Sequence, residues 1–376
     1  MTNIRHLVVF SMAVTLAASM AACGGGATSS PPAPTPQPAP VPKPTSVVVV
    51  NDSGTLNIAV PASTYSATSM PAAAFDALNA ARLASGAGEV TQSTALDVAA
   101  RAHAAYLTNV QANWSSLTTA QRAEYKSPHD EYADIEPGLY YAADPGARAI
   151  QAGATTAVGR ASEGIGGAQV IRNGTPQADG STCIRGQLAS VYHADVALSP
   201  ATSIAVAQWT DAIGESNCVI DYVAGDANGQ VVPTATPVVN PAPASTVSGT
   251  FAIDQESPRP ASAQITTGTA GTPVLLQART AAWLNAKATA AANGLTFAPS
   301  LTLFTVTGPS GDVVDAVLLA STEYSGASVV ADAELLEGTV VAIPRVPLTP
   351  GTYTVHVVVT ITAGVTAGRD WQFVAQ

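Results

Sequence analysis

The sequence predicts a mixed α+β chain in which helices lead into strands and an all-β region follows. Three observations predict it. Apolar residues recur at helical spacing over 71–107 and again over 184–197. The pattern then changes to β-branched runs at 203–208 and 218–223. Beyond residue 245 short apolar runs separated by Gly and Pro turns continue to the C-terminus. At 376 residues the chain exceeds one ordinary domain, and a prior of roughly 100–200 residues per domain gives about two folded units with extras.

The composition narrows the function classes. A hydrophobic fraction of 47% is enough for real cores, while only 11% of residues are charged, so Ser, Thr, Asn, Gln and backbone must supply much of the polar surface. The balance of 15 Lys and Arg against 26 Asp and Glu gives a net charge of −11. Tracking nucleic-acid phosphates needs clustered cations, and no basic stripe exists, so nucleic acid is excluded as a partner.

The first 22 residues read as an export signal. Arg5 and His6 precede an apolar run over 7–22 that is shorter than the ~20 residues needed to span a bilayer and ends in small residues. Met20-Ala21-Ala22-Cys23 resembles a bacterial lipobox, which implies cleavage after residue 22 and lipidation of Cys23. Several acyl chains on one Cys anchor stably, because each buried methylene contributes about 0.8 kcal/mol and a single chain is marginal. The expected location is outside the cytoplasm, lipid-anchored in the cell envelope. Gly24 in place of Asp favours the outer membrane by analogy with such lipoproteins.

Residues 23–46 form the next segment, in which Pro recurs at nearly every second position from Pro32 to Pro44. Such a stretch stays extended at about 3.1 Å per residue and is a spacer. Segment 47–70 is expected to carry a strand or hairpin, from the β-branched runs 47–50 and 56–60 around Asn51-Asp52-Ser53-Gly54. A first helix begins at Pro71 with Phe75, Leu78 and Arg82 at helical spacing and ends at Gly86 and Gly88. A second runs from Thr94 to before Asn113, with Leu96, Ala99, Ala100, His103, Tyr106 and Leu107 on one broad face. Residues 127–167 are rich in Gly, Pro and Asp, with only a short helix expected at 148–152. A third helix is expected over 184–197, followed by the strands 203–208 and 218–223 and a turn at Asp226-Ala227-Asn228-Gly229. Residues 231–245, again Pro-rich and free of charge, are expected as a second linker.

Residues 246–376 read as a small β-sandwich, with strands at 274–277, 301–306, 313–320, 339–343 and 353–362. Trp371 and Phe373 alternate with Gln372 as a last core strand would. Against this trend, 278–293 is Ala-rich and reads as helix. With Cys23 used for lipid, Cys183 and Cys218 remain as an even pair and are expected to form a disulfide, the alternative being two buried free thiols. In an oxidising compartment that bond would contribute about 4 kcal/mol.

Residues 71–230 carry an ordered set of short motifs: Leu78-Asn79-Ala80-Ala81-Arg82, His103 with Tyr106-Leu107, Pro128-His129-Asp130-Glu131, and Pro137-Gly138. The set continues through Asp144-Pro145 with Arg148-Ala149, Ala152-Gly153, Ser162-Glu163-Gly164-Ile165, and Val191-Tyr192-His193. The set resembles the CAP superfamily in its bacterial SCP-like form. That resemblance implies a three-layer α-β-α sandwich with two His and two acidic residues in a central cleft. Carried over by position, these are His129, His193 and Glu163, with Glu131 as the second acid and Glu136 as its alternative. Gly164 stands where the family has Asn, and His193 lacks the flanking residues of eukaryotic members. Segment 246–376 resembles the Ig-like β-domain appended to some bacterial SCP-like proteins, through Glu256-Ser257-Pro258, residues 347–353 and Trp371-Gln372-Phe373.

The residue chemistry can be read beside that likeness. His193 lies off the apolar stripe of its helix, so it is not an obvious core histidine. Imidazoles with a carboxylate suit zinc or another divalent metal with a position left for water, and without metal they form a hydrogen-bond network. His103, on a packed face, is expected to be structural, and His356 solvent-facing. The functional expectation is a binding module for a metal ion or for a small-molecule, lipid or envelope-polymer ligand. No Gly-x-Ser-x-Gly or His-Glu-x-x-His motif is present. The alternatives are a hydrolase acting on envelope peptides or glycans, with Glu131 or Glu163 as general base, and a scaffold whose cleft has no task. For the anchor, metabolic palmitate labelling is expected to mark the wild-type chain and to vanish in Cys23→Ser; a label that persists would refute it.

Overall fold

The computed structural model describes residues 56–154, 161–172, 175–224, 229–232, 236–326 and 329–376. The signal segment 1–22, Cys23, the spacer 23–46, the hairpin expected at 47–54 and most of the turn at 226–229 lie outside the described residues. All the described residues belong to one unit, Thr45–Gln376. It mixes helix and strand, and no helix among the described residues is long and apolar enough to cross a membrane.

The first half opens with α1 (Met70–Ser85), β1 (Thr91–Gln92) and α2 (Thr94–Asn113). Helix α1 starts where Ser69 accepts from Ala72 N–H and Pro71 occupies the first turn, and it stops at Gly86, whose φ of 92° is left-handed. Ser93 caps α2 by accepting from Leu96 N–H. Next come α3 (Thr119–Glu124), α4 (Pro145–Gln151), β2 (Ala161–Gly167) and the hairpin of β3 (Gln169–Arg172) and β4 (Thr175–Ala178). They are followed by α5 (Gly180–Leu188), α6 (Tyr192–Ala197), β5 (Ser203–Thr210) and β6 (Ser216–Val223). Strands β1, β5, β6 and β2 form a four-stranded sheet in that order. Helices cover both of its faces. Ile204, Val206, Ile220 and Tyr222 pack against α1, α5 and α6, while Ala205, Ala207, Val219 and Val223 pack against α2 and α4. The expected disulfide is formed: Cys183 of α5 bonds Cys218 of β6, both buried, across a separation of 35 residues.

The second half comprises β7 (Val238–Asn240), β8 (Thr246–Val247), β9 (Val274–Gln277), α7 (Ala281–Ala292), β10 (Ser300–Thr307) and β11 (Ala316–Ala320). After these come β12 (Val330–Ala331), β13 (Thr339–Pro344), β14 (Gly351–Thr362) and β15 (Val365–Ala375). Two sheets, β12-β11-β13-β9-β7 and β10-β14-β15-β8, pack face to face. Val274, Leu276 and Val340 from one meet Val355, Val357, Trp371 and Phe373 from the other. The first sheet is buried on its outer face as well. Leu275, Val317, Leu319, Val341 and Ile343 lie against Phe251, Ile253 and Ile265, and against Val191 of the first half. That is why β13 is buried throughout, and apolar after Thr339, rather than alternating.

Four expectations are corrected. Residues 231–245 are not a free linker, because β7 is a fully buried strand paired with β9. Residues 56–60 form no strand: Asn57 N–H donates to the Gln230 side chain and Asn57 C=O accepts from Glu89 N–H, so the backbone of Asn57 is satisfied without a partner strand, and Pro61 follows. The region 127–167 contains β2, concealed by Gly164, Gly166 and Gly167. The single helix expected over 184–197 is two. Asn240 Nδ2–H takes the carbonyl of Leu188 at the end of α5, and the Glu256 carboxylate takes the amides of Val191, Tyr192 and His193, so the chain breaks between them.

The two halves are therefore joined by buried polar bonds centred on α6. Asp195, almost fully buried, accepts from Gln277 Nε2–H at 2.7 Å, Thr339 Oγ1–H at 2.7 Å and Leu336 N–H at 2.6 Å. Tyr192 O–H donates to Asp332 at 2.9 Å. Asp195→Ala removes the acceptor of Thr339 Oγ1–H and Leu336 N–H and leaves Gln277 only the Asp195 carbonyl, and it is expected to destabilise the chain by about 3 kcal/mol. A urea unfolding curve checks this, and a midpoint unchanged from wild type would mean that the junction is not coupled.

Candidate functional site

A charged cluster lies where α2, the 125–144 loop, α4 and β2 meet. Helix α2 directs His103 inward from a stripe in which Ala99, Ala100 and Ala104 leave room for the ring. The loop brings His129 and Glu131. Asp144 caps α4 by accepting from Ala147 N–H, which sets Arg148 one turn into the helix and wholly buried. Strand β2 presents Glu163. Gly164 next to it is required by space, since a Cβ there would lie 2.7 Å from the side chain of Gln187, which is held by Tyr222 O–H.

Glu163 is the centre of the cluster. Its Oε2 accepts from Arg148 Nη2–H at 2.6 Å, and its Oε1 lies 3.0 Å from His129 Nδ1 and 3.4 Å from His103 Nε2. Its side chain has no contact with solvent. Burial alone would raise its pKa, but the charges of His103 and Arg148 and the hydrogen bonds from His103 and His129 outweigh this and hold the carboxyl well below its ordinary range. His103 faces acceptors at both nitrogens: Nδ1 is 3.0 Å from Glu131 Oε1, and Nε2 is 2.9 Å from the Pro128 carbonyl. A neutral ring would point a lone pair at one of them, so the geometry requires the imidazolium. Burial pulls its pKa down, yet the Glu163 charge and the bonds with Glu131 and Glu163 prevail and raise it from 6.5 to about 9.

The remaining members complete the surround. Glu131 Oε2 accepts from Tyr141 N–H at 2.5 Å, and its Oε1 lies 4.0 Å from Arg148 Nε. Asp221 of β6 sits opposite Glu163 in the β2–β6 register and is buried, and no donor reaches either of its oxygens. Burial first, and then the Glu163 charge, push its carboxyl well above the usual range, which favours its protonated form beside Glu163. That proton is what it can offer to Glu163.

His193 approaches from α6. Its ring centre is 5.8 Å from that of His129, with the planes tilted by 43°. His193 Nδ1 lies 3.5 Å from Glu256 Oε1, and the two rings keep 26% (His129) and 20% (His193) of their side-chain surface exposed. Of the four metal-ligand candidates, His129 lies beside both Glu163 and His193, and Glu131 is turned away toward His103. Glu136 is elsewhere, bonded to Asn113. Among the described residues no group of three or more His, Cys, Asp or Glu side chains is arranged to hold a metal ion. The carboxylates are occupied by internal donors, and this is the physical reason that the expected four-residue ligand set is not formed.

Sequence reasoning missed three participants. His103 was expected to be structural, and its buried position agrees, but its charge makes it part of the cluster. Arg148 stood within a motif without a role. Glu256 lies in the other half; an acidic residue in a chain with 11% charge is the one signal that could have marked it. His356 is exposed as expected and pairs with Asp370 across β14 and β15.

No protein-family model matches the chain, and no curated protein matches it. Among solved structures, selenomethionine PcoC, a copper resistance protein from Escherichia coli, is similar at 17% identity over 37% of this chain and 95% of that chain, with a TM-score of 0.19. A likeness at that level transfers neither fold nor copper chemistry.

The cluster predicts a pH profile. His103 has a folded pKa raised above its ordinary value, so its contribution is complete below about 6.5 and is lost as pH rises through about 9. At roughly 1.4 kcal/mol per pKa unit this is on the order of 3 kcal/mol. Glu163, lowered in the fold, contributes above the ordinary carboxylate range and loses that contribution as pH falls. Stability measured by urea unfolding from pH 6 to 10 is expected to decline on the alkaline side. His103→Gln is expected to be less stable at pH 6 and flatter above it; a variant that keeps the wild-type slope would assign the decline to another group.

Proposed function

We propose that the chain is an exported envelope lipoprotein, anchored through Cys23 in the outer membrane, whose residues 71–230 are a CAP-like domain and whose residues 246–376 are an Ig-like sandwich. It acts by binding, and the binding site is the His129–His193 pair. The observation that carries this reading is the 5.8 Å separation of two partly exposed imidazoles, each backed at Nδ1 by a buried carboxylate. Both acids favour the Nδ1–H tautomer and leave each Nε2 with a lone pair. Two imidazoles sharing one ion at ~2.0–2.1 Å hold their ring centres roughly 5–6 Å apart, so the pair fits a divalent cation such as zinc.

His129 and His193 would hold the ion, while Glu163 and Glu256 orient the rings. A bound ion supplies a Lewis-acidic centre for oxygen donors of a small molecule or envelope polymer. With two protein ligands, the remaining positions belong to water or to that partner. The hydrolase alternative is less well supported. Glu163 has little proton affinity, and Glu131 and Glu163 are both shut off from solvent with their oxygens engaged, so neither is available as a general base.

Zinc titration followed by calorimetry tests the reading. The wild-type chain is expected to take up one equivalent, His129→Ala and His193→Ala to bind at least about tenfold more weakly, and the double variant not to bind measurably. Wild-type affinity in the double variant would sink it.

A further inference from the structure

We infer that the C-terminal half is an integral part of the histidine site and that Glu256 is the positioning residue for His193. This rests on the binding reading above. Helix α6 has no capping side chain of its own. Its first amides are satisfied instead by Glu256: Val191 N–H donates to Oε2 at 2.9 Å, and Tyr192 and His193 N–H donate to Oε1 at 2.6 and 3.2 Å. The same Oε1 lies 3.5 Å from His193 Nδ1, and the Glu256 side chain is only 2% exposed. One carboxylate therefore fixes both the backbone of His193 and the face of its ring.

Every neighbouring side chain of α6 that leaves the first half reinforces this. Val191 is buried among Leu275, Val317 and Val341, Tyr192 is tied to Asp332, and Asp195 is tied to Gln277 and Thr339. His129, by contrast, is oriented by Glu163 from within the first half. The two imidazoles are thus aimed by acids from different halves, and their separation reports how those halves dock. A cavity of about 330 Å³ beside His193 is likewise composite, with Gly166, Gly186 and Ser190 on one wall and Phe251, Gln255 and Glu256 on the other. A ligand reaching the site from there meets both halves.

The test uses the full chain and zinc as the probe. Glu256→Gln keeps one oxygen for the amides but loses the charge. Because its amide nitrogen then faces the buried Val191 N–H, it is expected to lower the unfolding midpoint modestly and, under conditions where it stays folded, to bind zinc about 10–100-fold more weakly, while Glu256→Ala loses all three acceptors and more stability with them. If Glu256→Gln binds as wild type while His193→Ala is impaired, the positioning role is overturned and the binding reading stands. If His193→Ala also binds as wild type, the binding reading is what fails. A measurement on the unmutated, metal-free chain guards against misfolded variants. Nitrogen-15 imidazole spectra of the neutral ring are expected to report His193 as the Nδ1–H tautomer, and an Nε2–H tautomer would overturn the inference.

Discussion

An ionised carboxylate without access to water is the constraint on which the first half of this protein depends. Glu163 must be surrounded by donors or not be buried at all, because removing one partner of such a pair costs about 3–5 kcal/mol. The donors come from His103 on α2, His129 on the 125–144 loop and Arg148 on α4, so three segments far apart in sequence are held against β2 by one side chain. Hydrophobic packing could tolerate small sliding of α2 or α4 over the sheet. Charge-assisted bonds of 2.6–3.0 Å cannot. The loop over 125–144, with little regular structure, takes its shape from these bonds, through the Pro128 and His129 carbonyls as well as the Glu131 side chain.

The same rule governs the junction between the halves. Glu256 and Asp195 are buried acids of opposite origin, one reaching from the second half into α6 and the other from α6 into the second half. Each is satisfied only when the halves are docked. Apolar area gives that interface its strength, through Val191 and the outer face of the β13 sheet, but it is these directional bonds that fix the register. A helix of six residues would be marginal alone, and here its first turn is completed by another part of the chain.

This difference between local and distant causes decides what the sequence could reveal. The boundaries of α1 and α2 were legible because their causes are local: Ser69 and Ser93 as caps, Gly86 as the stop, and long apolar stripes between. The strands β5, β6, β13 and β14 were legible from β-branched runs. The break between α5 and α6 was not, since the groups that cause it, Asn240 and Glu256, lie 52 and 63–65 residues away. Strand β2 was concealed by its glycines, of which Gly164 answers to Gln187 on another element rather than to strand propensity. For the site, the resemblance picked out His129, His193 and Glu163. It could not reveal that Glu131 would be spent on His103, because periodicity registers that His103 is buried and not that a buried imidazole needs acids.

Asp221 gives that argument its last step. A second acid 3% exposed beside Glu163 looks like a defect, because two anions so placed would repel in a medium of low dielectric. With its pKa pushed up, Asp221 can aim a hydroxyl at the neighbouring carboxylate, so β6 adds no further negative charge beside Glu163 and Glu131, which face the cations of His103 and Arg148. The outward-facing rings of His129 and His193 keep surface to offer a ligand. Inside, the charges of His103, Arg148, Glu131 and Glu163 are committed to holding the fold, and for that reason we propose binding at the pair of imidazoles at its edge.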